Sequence, residues 1–128
     1  MARSPSDHPV IATVIKFAWP VSAGVEHRFS DEMDREHERE PRHYAQAVTA
    51  KNVILWSRAI EDLDDDHLAG ICLHEFGHIL NPLDGGTQGD QEMAADTAVL
   101  KQFGVPIQYK GPKELQWVDY GKVIEPHA

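Results

Sequence analysis

The chain is poor in cysteine, in basic residues and in long apolar runs, and each shortage excludes something. Cys72 is the single cysteine in 128 residues, so no disulfide can form within the chain. That suits a reducing compartment, and a cytoplasmic location is expected. No apolar run approaches the roughly 20 residues that a membrane-spanning helix needs, so no membrane partner is expected. The apolar stretch near the N-terminus is preceded by Asp7 and interrupted by Lys16, which does not suit a secretion signal. Lys and Arg number 12 against 21 Asp and Glu, for a formal net charge of -9. A surface of that sign repels phosphate backbones, so no nucleic-acid partner is expected. The one dense basic cluster, "DREHEREPRH", carries its own neutralising acids.

What remains is a globular composition of one domain's length, 41% hydrophobic and 26% charged. Residues 1–9 read as a loose leader. Val10–Trp19 is β-branched and predicts a strand, closed by Pro20 and Gly24. Asp31–Glu40 is charged almost all round and predicts a short exposed helix or a loop, stopped before Pro41. "HYAQAVTA" and "NVILWS" predict two strands, paired as a hairpin turned at Lys51-Asn52. "LDDDHLAGICLHEFGHIL" predicts a helix capped by Asp64 or Asp65 and ended by Asn81-Pro82. A second helix is expected from Asp90, as its cap, to Phe103, with Gly104 as the C-cap. In the tail, residues 107–128, "LQWVDYGKVI" has room for one short strand. The fold class expected is α+β, a small sheet packed on two helices.

"HEFGH" lies inside the first of those helices. At 100° per residue, His74 and His78 point only about 40° apart, one turn above each other. Both imidazoles can then reach one tetrahedral zinc ion at about 2.0–2.1 Å. Glu75 sits beside them, angled off the pair, where a general base stands for zinc-activated water. With 8 histidines in the chain, composition alone produces the five-residue pattern with a chance of roughly 0.04. The competing reading is a buried helix whose histidines merely hydrogen-bond. "HEREPRH" also begins His-Glu, but His37 and His43 are six residues apart with Pro41 between, and cannot stack on one turn.

A catalytic zinc needs a third protein ligand. Glu92 is preferred: it falls in the first turn of the second helix, and Asp96 shares its face one turn on. Asp96 is placed to orient a ligating histidine through its other ring nitrogen. Ala94 and Ala95 are small enough to let the two helices approach. Asp84 is the alternative, six residues after His78. "HEFGHILNPLD" resembles the metzincin pattern there, with Asn81 where that family has glycine, but Pro82 pushes Asn81 towards extended backbone and no Met-turn follows.

H-E-x-x-H followed by E-x-x-A-D on a second helix resembles the gluzincin metallopeptidases, and the size is similar to their smallest members, the minigluzincins. The likeness runs from about Asn52 to Gly104. It implies a single zincin-like domain with one catalytic zinc, and a zinc-dependent endopeptidase acting on a peptide or protein substrate. It implies His74, His78 and Glu92 as ligands, Glu75 as general base and Asp96 as the acid behind a ligand. "NVILWS" matches the edge strand along which those enzymes lay an extended substrate, which makes Asn52, Val53, Ile54, Leu55 and Trp56 the substrate-binding residues. The family's transition-state stabiliser has no clear match; Tyr109, Tyr120 and His127 are the candidates. An alternative function is a latent or inactive zinc-containing regulatory protein, with the tail folded across the cleft.

Other residues have plainer readings. Cys72 points about 200° away from His74 and is expected in the core. His67, two turns before His74, is about 10 Å away along the axis and is expected to be solvated. Gly77 leaves room beside the helix for a strand, a substrate or a tightly packed neighbour. Trp19, Trp56 and Trp117 are expected in the core or at its rim.

Overall fold

A computed structural model describes residues 4–83, 85–111 and 114–124. Among them are five α-helices, a three-stranded sheet and a two-stranded one, an α+β fold. Asp84 and His127 lie outside the described residues.

The N-terminal expectations are the ones overturned. Pro5–Asp7 is a 3-10 turn rather than a loose leader. Asp7 accepts the Ser4 N–H at 3.1 Å, and the Ser4 hydroxyl donates to the His27 carbonyl at 3.3 Å. Val10–Trp19 is not a strand. Pro9–Phe17 forms helix α1, started by His8, whose Nδ1 accepts the Val10 N–H at 3.2 Å, and by Pro9 in the first turn. Val10, Ile11, Val14 and Ala18 are buried while Ala12 and Lys16 are exposed, a helical spacing and not alternation. β-Branched residues cost a helix only a few tenths of a kcal/mol each. Burying a Val or Ile stabilises by about 1.5–3 kcal/mol, so packing decides.

Strand β1 (Glu26–Phe29) was not anticipated. Helix α2 (Asp31–Arg39) follows, capped by the Ser30 hydroxyl, which accepts the Met33 N–H at 3.3 Å. Strands β2 (Ala45–Val48) and β3 (Val53–Trp56) form the expected hairpin. Its turn is longer than two residues: a 3-10 turn at Thr49–Lys51, then Asn52 in the left-handed region at φ 57°. The sheet order is β1-β3-β2, with β1 parallel and β2 antiparallel to β3. β3 is therefore the central strand, bonded on both sides. Asn52–Trp56 cannot serve as a substrate-binding edge, because β1 occupies the free side an edge strand needs. Trp56 is fully buried, opposite Phe29 on one side and Ala45 on the other.

Helix α3 (Asp65–Leu80) is the spine. Leu68 to Gly77 are buried without a break, so the helix is covered all round. Asp64 is its N-cap residue, with no hydrogen bond from the side chain. Helix α4 (Gln88–Phe103) starts earlier than expected. Thr87 is its cap, and Asp90 closes a capping box by accepting the Thr87 N–H at 3.0 Å. Gly104 ends it at φ 70°, as expected. Two glycines of α3 admit its neighbours. A Cβ on Gly77 would lie 2.3 Å from the Ala95 carbonyl oxygen of α4, and one on Gly70 2.7 Å from the Trp117 nitrogen. Trp117 belongs to a tail more structured than one short strand. Strands β4 (Gln108–Lys110) and β5 (Leu115–Trp117) pair antiparallel, and helix α5 (Tyr120–Ile124) packs on α1. Asp66 anchors the tail to the start of α3, accepting the Tyr120 N–H at 2.8 Å. Among the described residues no helix is long and apolar enough to cross a membrane.

Candidate metal centre

The close contact at Gly77 and Ala95 brings the polar faces of α3 and α4 together. His74 and His78 stand one turn apart with their Nε2 atoms 3.1 Å from each other. Glu92, from the start of α4, puts one oxygen 2.7 Å from His74 Nε2 and the other 3.1 Å from His78 Nε2. Among the described residues this is the only group of His, Cys, Asp and Glu gathered closely enough to hold a metal ion. A tetrahedral ion bonded at about 2.0–2.1 Å holds its ligand atoms roughly 3.3 Å apart. Taking one ligand atom from each residue, the three lie within 4.8 Å of one another, so small side-chain rotations bring them to that spacing. Two imidazole nitrogens and a carboxylate are a donor set that suits zinc. Cys72 is fully buried in the core and takes no part, as expected.

Asp96 is where the spacing put it, one turn beyond Glu92. Its Oδ1 accepts the Nδ1–H of His74 at 2.6 Å. That bond keeps the His74 proton on Nδ1 and turns the Nε2 lone pair towards the trio's centre. Burial pulls the His74 imidazole down, but the carboxylates of Asp96 and Glu92 outweigh it and hold it at about 10. Burial pushes the Glu92 carboxyl up, and the two histidines outweigh that and keep it well below the usual carboxylate range. The acids around His74 thus call for positive charge at its Nε2, and a proton or a metal ion can supply it.

Glu75 is buried beside the trio, and its Oε1 accepts the Ala47 N–H at 2.9 Å. Burial raises its pKa, against the pull of His74 and His78. Ala47 lies on β2, the outer strand next to α3. The Tyr44 carbonyl accepts the Ser57 N–H at 2.8 Å, so residues 44, 46 and 48 face β3 and Ala45 and Ala47 turn their peptide groups outward. A cleft of about 580 Å³ follows this edge. It is lined by Glu75, His78, Glu92 and residues 44–47, with Met33 of α2 and Gln116 of β5 among its walls. The edge role expected of "NVILWS" falls to "AQAV". The hairpin was legible; which of its strands lies outside depends on β1, and Glu26–Phe29 carries no strand signal.

The remaining candidates separate clearly. The Tyr109 hydroxyl donates to Asp96 Oδ2 at 2.6 Å, behind His74 rather than in the cleft. Tyr120 packs against the hydrophobic core. His67 is half-buried rather than fully solvated: its ring stands edge-on to Trp117 at 3.9 Å and its Nε2 is buried. His37 rests on Tyr44 at 4.5 Å, while His43 lies 3.5 Å from Glu36; the two form no metal-binding group. Trp19, expected in the core or at its rim, is 68% exposed.

Comparison of the chain with protein-family models, with curated proteins and with solved structures gives no match.

Proposed function

We propose that the chain is a zinc-dependent metallopeptidase of gluzincin type, with a zincin-like fold, cleaving internal bonds of an extended peptide or protein. One observation carries the reading. Two imidazole nitrogens and a carboxylate converge at the side of a cleft that also holds a buried glutamate and an outward-facing strand edge. His74, His78 and Glu92 would hold the zinc, which polarises a carbonyl and makes water easier to ionise. The other steps belong to the chain's own groups. Asp96 keeps His74 in the tautomer whose Nε2 is a ligand. The Ala47 N–H holds Glu75 Oε1, leaving Oε2 to take a proton from the attacking water and return it to the leaving amine. Burial raises the proton affinity of Glu75, which suits a group that must both accept and release a proton near neutral pH. The substrate would add as a strand along Ala45 and Ala47.

The latent alternative has less support. Of the described tail residues, Gln116 alone lines the cleft, while β5 lies against α3 and α5 against α1 and α3. The test is Glu75→Gln in the zinc-loaded chain, assayed on a peptide library. Turnover is expected to fall by about 10²–10⁴-fold with zinc content unchanged. Cleavage at the wild-type rate would remove Glu75 from the mechanism.

A further inference from the structure

Tyr109 is 46% exposed, yet its hydroxyl is tightly engaged. It donates to Asp96 Oδ2 at 2.6 Å, and Asp96 Oδ1 accepts the His74 Nδ1–H at the same distance. A single carboxylate therefore bridges the β4–β5 hairpin and an imidazole of the metal centre. An aspartate held at one oxygen can still rotate about its side-chain bonds and trade its partner for water. Two short bonds, one from α3 and one from β4, fix both its position and its plane. Burial and the Asp96 charge raise the phenol of Tyr109 well above its ordinary range, so it stays protonated and remains a donor. β5 in turn locks the hairpin against α3, where Gly70 admits the backbone of Gln116 and Trp117.

We propose that Tyr109 is a positioning residue for the metal centre: its hydroxyl fixes Asp96, which aims His74 Nε2 at the zinc. The inference rests on the zinc reading above and extends the centre from two helices to the C-terminal hairpin. The effect should be smaller than that of losing Asp96 itself. Outer partners of metal-bound histidines are worth roughly 10–100-fold in affinity, and Tyr109 acts one bond further out.

The test uses the full chain stripped of metal, as wild type, Tyr109→Phe, Asp96→Asn and the double variant. Zinc affinity is measured by competition with a chelator, and the melting temperature of each metal-free form is measured beside it. Tyr109→Phe should weaken zinc binding by roughly 3- to 10-fold with an unchanged metal-free melting temperature. In the Asp96→Asn background it should cost nothing further. Three results would overturn the inference: wild-type zinc affinity in Tyr109→Phe, an equal loss in both backgrounds, or a matching loss of metal-free stability, which would make the hydroxyl a structural tie. If the wild type takes up no zinc, the zinc reading itself falls, and this inference with it.

Discussion

His27 and His74 are both buried imidazoles, 8% and 1% exposed, and they settle in opposite charge states. His27 sits among aromatic rings, near Trp56 and Phe76. The Trp56 indole N–H donates to its Nδ1 at 3.1 Å, and its Nε2 has no hydrogen-bond partner among the described residues. Burial pulls it down to about 4. His74 is buried more completely, yet carboxylates on both its nitrogens hold it at about 10. Burial sets what a charge costs; the partners decide whether it is carried. One histidine is a neutral part of the core, and the other belongs to a centre built to hold positive charge.

Zinc should separate the two most widely. His74→Ala is expected to weaken zinc binding by at least about 1000-fold, since losing a ligand exceeds the loss of an outer partner. His27→Gln should leave the affinity as it is. A chelator competition on both variants checks the pair, and equal losses would break the comparison.

Stability against pH probes the other side. The unfolded imidazole protonates near its ordinary 6.5, while folded His27 resists until about pH 4. Between those values the unfolded chain binds the extra proton. The contribution of His27 is therefore complete above pH 6.5 and is lost as pH falls towards 4. It amounts to something on the order of 3 kcal/mol. Urea unfolding of the metal-free chain across that window should show this slope, and His27→Gln should flatten it. An unchanged slope would mean that His27 is not held neutral by burial. The Tyr109→Phe effect on zinc is the smallest expected, and tests whether the partners of His74 reach beyond the two helices.

The centre was more legible in the sequence than the fold around it. His74, Glu75 and His78 share one helical turn, so local geometry alone brings them together. Glu92 and Asp96 were legible because α4 carries its own start and stop signals and crosses α3 where small residues meet, at Gly77 and Ala95. Helix α1 was not, because a short β-branched run suits either period until its burial pattern is known. The edge strand was misassigned for a non-local reason. β3 becomes central only because β1, four residues with no clear strand pattern, inserts beside it. The Tyr109 bond spans 13 residues and crosses between separate elements, and only the folded hairpin brings it to Asp96.

The most direct test of the central claim is the metal content of the full chain. Elemental analysis of protein purified without chelator, followed by zinc titration of the stripped chain, is expected to give one zinc per chain, lost together in His78→Ala and Glu92→Gln. Protein that carries no metal and takes up none on titration would contradict the account.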